Sequence, residues 1–178
     1  MLTRAAVCGF AIASRLIELR FSQRNVGSYP IGDEGRWSRL TFPFVVLLHA
    51  TVLAGTLLLG GRPRRLLLLP FFLAQPLRAW VLWTLGRRWN ARGVVPSVME
   101  VATNGPYAYV RHPNYGVVSV ELASLPAGFG LYRLALVAGL ANAVLLALRI
   151  RDEERLLMAL PGYREHFDSK PRFLPRLF

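Results

Sequence analysis

The sequence predicts an all-α integral membrane protein with about five transmembrane helices and a polar pocket formed by the loop before the last helical hairpin and the C-terminal helix. Three observations carry this. Hydrophobic residues fill 53% of the 178 positions and the mean hydropathy is +0.35, which does not describe an ordinary soluble domain of this size. Apolar stretches close to the roughly 20 residues that cross hydrocarbon recur along the chain. Between and after them the charged residues gather in clusters, with a net charge of +12.

The first apolar run covers about residues 2 to 20. Arg15 and Glu18 lie three residues apart within it, so they share a helical face, where pairing lowers the cost of burial in a membrane. Ala11-Ile12-Ala13 followed by Ser14 has the pattern of a leader cleavage site, but cleavage there leaves an unusually short apolar core, and the run is read as a span. Runs of about 41 to 60 and 66 to 85 give the second and third spans, the third bent at Gln75-Pro76. The fourth and fifth, about 115 to 130 and 131 to 149, form a tight hairpin broken by Pro126, Gly128 and Gly130. Trp37, Trp80, Trp83 and Trp89 fall near span ends, where indole rings favour the headgroup zone. No repeat or flexible linker divides the chain, which reads as one membrane domain over 1–178, with N-terminal spans to residue 85 and the polar elements in 86–178.

With the N-terminus outside, five spans put most arginines, including the 86 to 114 loop and the tail from Arg149 to Arg176, on one side. The other side receives Arg4, Arg62, Arg64, Arg65 and Arg133. The positive-inside rule then places the loop and the C-terminus together in the cytoplasm, as in a bacterial inner membrane. The basic charge is explained by topology and anionic lipid heads, and no nucleic acid partner is expected because the charges flank apolar spans instead of forming one basic face. Cys8, the only cysteine, permits no internal disulfide and leaves the redox compartment open.

Residues 104 to 116, from Asn104 to Gly116, combine Arg111, His112, two asparagines and three tyrosines with Pro106 and Pro113. Such a block cannot continue a lipid-buried helix and is expected as an ordered loop at the water-facing end. Arg149-Ile150-Arg151-Asp152-Glu153-Glu154 forms a second cluster that can face it. Asn142, Arg149 and Glu153 are separated by seven and four residues, close to whole helical turns, and share one face. Arg149 there either holds an anionic acceptor or joins an interfacial salt bridge with Asp152, Glu153 and Arg155. Glu121, inside the fourth apolar run, is a base for a phenolic substrate or a partner for Asn142 or an arginine. His112 lacks companions for a metal site, since His49 lies in the second span and His166 in the tail, and no metal is expected.

The run Gly105-Pro106-Tyr107-Ala108-Tyr109-Val110-Arg111-His112-Pro113-Asn114-Tyr115, followed by an apolar hairpin, Arg149-x-x-x-Glu153-Glu154 and Gly162-Tyr163-Arg164-Glu165-His166-Phe167, resembles the isoprenylcysteine carboxyl methyltransferase family. The resemblance covers roughly residues 86 to 172. It implies an integral membrane enzyme that transfers a methyl group from S-adenosylmethionine to a lipid-like acceptor. By the same resemblance the cofactor pocket uses Met99, Glu100, Val101 and Ala102, then Tyr107, then His112, Pro113, Asn114 and Tyr115, with Glu153 completing it and Arg149 on the substrate side. The chemistry of these groups suits an adenosyl cofactor, whose ribose hydroxyls, adenine face and sulfonium call for carboxylate and aromatic neighbours. No Gly-rich fingerprint follows a strand, so a Rossmann-type methyltransferase is not indicated; Gly128-Phe129-Gly130 is a hairpin turn.

Arg15-Leu16-Ile17-Glu18-Leu19, Arg24-Asn25, Trp89-Asn90 and Glu121 make the chain look closer to small bacterial members associated with type III polyketide synthases. That implies O-methylation of an alkylpyrone or alkylresorcinol and a functional link to such a synthase. A prenylcysteine-like carboxylate or another lipid is the alternative acceptor. A nonenzymatic protein that binds lipid or a partner is the competing class, and it predicts no cofactor affinity. Five short spans without repeated halves argue against a transporter.

Overall fold

The computed structural model describes residues 3–29, 31–97 and 99–175; Leu2 of the first expected span and Arg176 of the basic tail lie outside them. Five long helices appear in the expected order: α1 (Arg4–Gly27), α2 (Arg36–Leu59), α3 (Arg65–Leu85), α4 (Pro113–Gly128) and α5 (Tyr132–Leu157), with a one-turn helix α6 (Tyr163–Phe167) after them. Three stretches, Arg36–Leu59, Arg65–Arg88 and Tyr132–Leu157, are long and apolar enough to cross a membrane. Leu58, Leu66, Leu73, Leu136 and Leu140 point outward from them, an apolar exterior that suits lipid and not water. The charges of α1 and the 16 residues of α4 keep these two helices below that standard.

The fold departs from the all-α expectation in one place. Gly32–Glu34 (β1) pairs antiparallel with Val94–Pro96 (β2), with Asp33 opposite Val95. Three residues per strand carry too little alternation to be read from sequence. The pair ties the α1–α2 connection to the loop after α3 and closes one end of the bundle. Three helices also run past their expected limits: α1 reaches Gly27, α2 begins at Arg36, and α5 continues through the charged cluster to Leu157. The expected span limits follow hydropathy, whereas a helix continues past the apolar zone as long as its backbone bonds are made.

One core, built on Val52, Leu68, Phe71, Val118, Leu122 and Phe129, packs α2, α3 and α4 together. The α4–α5 hairpin turns at Phe129–Leu131, and Gly61 and Arg64 donate backbone hydrogen bonds to the carbonyls of Phe129 and Gly128, which joins this turn to the α2–α3 turn. At mid-bundle, charge replaces apolar packing. Glu18 accepts from Arg15 and Arg78, and Glu121 accepts from Arg15 at 3.2 Å, Arg78 at 3.2 Å and Gln75 at 2.9 Å, linking α1, α3 and α4.

At the other end a smaller cluster of Val95, Leu160, Tyr163 and Phe167 packs against Met99, Val101 and Tyr107. Asp152 of α5 accepts from the backbone N–H groups of Trp37 and Ser38 and so caps the free donors at the start of α2. Its carboxylate occupies the space a Cβ would need at residue 35, so glycine is required there for close approach. Trp89 corrects the expectation of four headgroup indoles: it is 2% exposed and stacks on Phe21, whereas Trp83 is 88% exposed.

Candidate functional site

The block from 104 to 116 splits into two structures. Gly105–Ala108 is a 3-10 turn that begins at Gly105 with φ of 57°, a left-handed conformation glycine adopts without strain, and Thr84 crowds its α-carbon. Pro113 then opens α4 at its first turn, where the missing N–H costs nothing. Asn114 therefore stands on a helix and not in the loop the sequence predicts, and Tyr115, where the expected loop and the expected fourth span overlap, is helical.

Two chambers meet at this first turn. The polar chamber, about 110 Å³, is walled by the 88–96 segment, Met99, Val101, Ala102, Tyr107, Arg111, His112, Asn114, Tyr115, Glu153 and, from α6, Tyr163 and Phe167. The second, about 290 Å³, runs between α1, α2 and α5 and is mostly apolar, with Ile12, Leu16, Leu19, Val45, Val46, Leu53, Val118 and Leu146 in its wall. Leu16 and Val46 in its wall are exposed. Trp89, Ala91, Asn114, Tyr115 and Arg149 belong to both walls.

The junction is electrostatically prepared. Arg149 is buried and donates to the carbonyls of Ser38 at 3.3 Å and Ala91 at 2.8 Å, so its charge faces dipoles and no carboxylate among the described residues. The salt bridge considered for it is absent there: Asp152 serves the α2 cap and an ion pair with Arg155 at 3.6 Å. The Tyr115 phenol donates to Glu153. Burial and the neighbouring Glu153 charge push the Tyr107 hydroxyl well above its usual range, and burial with Glu153 and Glu154 does the same to Tyr163, so both remain neutral donors. Trp89 Nε1 and Asn114 Oδ1 are buried without a partner among the described residues, in a structure where such groups are normally paired.

Of the residues expected at the cofactor, Met99, Val101, Ala102, Tyr107, His112, Asn114, Tyr115 and Glu153 line the polar chamber, and Arg149 stands at the junction. Glu100 is exposed; its backbone carbonyl accepts from Arg88 at 2.9 Å. Pro113 lines an outer groove with Leu73 and Trp80 instead. Glu121 faces a separate recess of about 30 Å³ and is held by Arg15, Gln75 and Arg78, which is the arginine partnership named as one of its two roles. His112 contacts Glu154 at 3.1 Å and stacks on Tyr115. Among the described residues no group of three His, Cys, Asp or Glu gathers as a metal site requires.

Several site residues escaped the sequence reading. Trp89 to Ala91 and Gly93 to Pro96 form a wall, brought in by the β1–β2 pair. Tyr163 and Phe167 were visible only as part of a motif. Glu154 gathers His112, Arg111 at 3.4 Å and Arg172 at 2.7 Å, while Arg111 and His112 donate backbone bonds to Pro171 and Arg172, fixing the tail beside the chamber.

Comparison with known proteins adds relatives and a family. A 153-residue stretch is 28% identical to Uncharacterized protein YpbQ of Bacillus subtilis (strain 168), covering 82% of this chain and 91% of that protein. Nickel-cobalt-cadmium resistance protein NccN of Alcaligenes xylosoxydans xylosoxydans is 34% identical over 96 residues, 53% of this chain and 45% of that protein. Cobalt-zinc-cadmium resistance protein CzcN of Cupriavidus metallidurans (strain ATCC 43123 / DSM 2839 / NBRC 102507 / CH34) is 32% identical over 110 residues, 61% of this chain and 51% of that protein. The model of the isoprenylcysteine carboxyl methyltransferase (ICMT) family matches residues 66–159, which take in α3, the polar loop, the hairpin and the Arg149–Glu154 cluster. That match spans more than half of the sequence, and the chain belongs to the isoprenylcysteine carboxyl methyltransferase family.

Proposed function

We propose that the protein is an S-adenosylmethionine-dependent membrane O-methyltransferase acting on a lipid-like acceptor, a hydroxylated ring with a long alkyl tail of the alkylpyrone or alkylresorcinol type. Family membership supports the coarser part, a membrane methyltransferase. The observation that carries the rest is the shared wall: a polar chamber and an apolar one meet at Trp89, Ala91, Asn114, Tyr115 and Arg149. Two substrates of opposite polarity need such a meeting point, because direct transfer requires the reacting atoms within about 3–3.5 Å of each other.

The residues fit the cofactor. The unpartnered Trp89 N–H and Asn114 carbonyl, the Glu153 carboxylate and the neutral Tyr107 and Tyr163 phenols offer the mixture of donors, acceptors and ring faces that an adenosyl amino acid engages. Bound there, S-adenosylmethionine supplies a methyl group on a sulfonium that needs no further activation. The chain's task is then alignment and exclusion of water. Arg149, held by two carbonyls and without a carboxylate, favours the acceptor as its oxyanion, which removes the need for a strong base. Leu16, Leu19, Val46 and Leu53 receive the alkyl tail. The arginine bias supports a cytoplasmic polar chamber, within reach of a soluble cofactor.

Calorimetric titration of purified protein with S-adenosylmethionine tests the cofactor half. Saturable binding to wild type and its loss in Tyr107→Ala and Glu153→Ala supports the reading. Absence of binding to folded wild type overturns it and leaves a nonenzymatic lipid-binding protein. The acceptor half is tested by offering alkylpyrones and alkylresorcinols beside prenylcysteines, whose carboxyl group is the alternative acceptor.

A further inference from the structure

The apolar chamber has a second polar spot far from Arg149. Arg15, Glu18 and Arg78 enter its wall from α1 and α3, and His49 enters it from α2. Beyond them lies the 30 Å³ recess, which shares Arg15, His49 and Leu53 with the chamber and adds Gln75 and Glu121. A stable bundle does not require this cluster, since buried ion pairs are commonly no better than well-packed apolar residues and charges inside a membrane are expensive. Its place in the chamber wall gives it a use.

We propose that this spot is a distal subsite that binds a neutral hydroxyl group on the far part of the acceptor's alkyl chain. The inference rests on the apolar chamber being the acceptor site. His49 Nδ1 lies 2.8 Å from the carbonyl oxygen of Val45, so in the neutral ring Nδ1 carries the proton and Nε2 is left as an acceptor. Nε2 has no hydrogen-bond partner among the described residues. Arg15 uses Nη1 and Nη2 on Glu18 and Glu121 and has further N–H donors. A hydroxyl is the small group that donates to the first and accepts from the second. Two arginines and two glutamates leave the cluster without net charge, so a carboxylate or an ammonium gains nothing there. The recess has room for the oxygen, being larger than the ~10–15 Å³ a water requires.

Distance along α2 sets the chain length. Arg149 is bonded at the level of Ser38, and His49 follows eleven residues later on the same helix, about 16 Å at ~1.5 Å per residue. A zigzag chain of carbon–carbon bonds of ~1.5 Å spans that with roughly a dozen bonds.

The probes are therefore dodecanoate, ω-hydroxydodecanoate and a mid-chain hydroxydodecanoate, titrated against the full-length protein in phosphatidylcholine nanodiscs with empty nanodiscs as reference. Arg149 takes the carboxylate in each case. Wild type is expected to bind the ω-hydroxy chain about 5- to 10-fold more tightly than dodecanoate, the yield of a net hydrogen bond or two, and the mid-chain isomer no better than dodecanoate. Simple partitioning gives the opposite order, because a hydroxyl weakens transfer from water. In His49→Leu, which leaves the four-charge cluster intact, the ω-hydroxy preference disappears while dodecanoate affinity holds. Equal binding of the three chains to wild type, or a preference that survives His49→Leu, overturns the subsite and leaves the acceptor chamber standing. Failure of every chain to bind overturns both.

Discussion

Tyr115 on the first turn of α4 donates its phenolic hydrogen to Glu153 on α5, a bond that crosses the junction between the two chambers. It holds the carboxylate in the wall of the polar chamber and sets the spacing of the two helices at the point where the polyhelical bundle becomes a site. Tyr115→Phe keeps the ring and its stacking on His112 and removes the hydroxyl that makes this bond. We expect it to weaken S-adenosylmethionine binding about 10- to 100-fold in calorimetry, in line with the ~1.5–3 kcal/mol of a hydrogen bond to a charged group.

Glu121 separates a structural from a catalytic role. Its carboxylate is committed to Arg15, Gln75 and Arg78. Glu121→Ala leaves two buried guanidiniums short of a partner and is expected to lower unfolding free energy by about 3–5 kcal/mol. Glu121→Gln keeps the shape and part of the bonding, and its methyl-transfer rate at neutral pH is expected to stay within about threefold of wild type, whereas loss of a general base gives about 100-fold or more. Thermal unfolding and initial rates measured on the same preparations decide between the two.

Glu154 anchors the tail through His112, Arg111 and Arg172. Arg172 is half exposed, so Arg172→Ala is expected to cost less than about 1 kcal/mol. Glu154→Ala removes the shared acceptor of all three and is expected to cost about 2–4 kcal/mol and to increase proteolysis after residue 160. Limited proteolysis with and without S-adenosylmethionine checks both.

The raised tyrosines give an alkaline limit. Tyr107 and Tyr163 hold their protons more tightly folded than unfolded, so the unfolded chain releases them first. Their contribution to stability is complete below the ordinary tyrosine value of about 10 and is lost as pH rises above it toward the folded values. The melting temperature is expected to fall between about pH 9.5 and 11 in wild type and to fall less steeply in the double variant Tyr107→Phe, Tyr163→Phe.

The five helices and much of the polar chamber were legible because each rests on a local signal. Apolar length marks α2, α3 and α5, the Phe129–Leu131 turn marks the hairpin, and seven- and four-residue spacings put Asn142, Arg149 and Glu153 on one face. What escaped depends on partners distant in sequence. Trp89 resembles an interfacial indole until the β1–β2 pair folds its segment inward against Phe21. Asp152 reads as one charge in a salt-bridge run and does pair with Arg155, yet it also accepts from the free N–H groups of α2, which no side-chain pattern reveals. Pro113 reads as a breaker and serves as a helix start, moving Asn114 from loop to helix.

Under the proposed function a methyl group passes from the polar chamber to a lipid at Arg149. The direct measurement is transfer of labelled methyl from S-adenosylmethionine into organic-extractable product, using a panel of alkylpyrones, alkylresorcinols and prenylcysteines. We expect labelled lipid with wild type and about 100-fold less with Arg149→Ala at retained cofactor affinity, the scale expected when one charge-stabilising donor is removed. Cofactor binding by wild type with no label in any lipid, or undiminished transfer by Arg149→Ala, would contradict it.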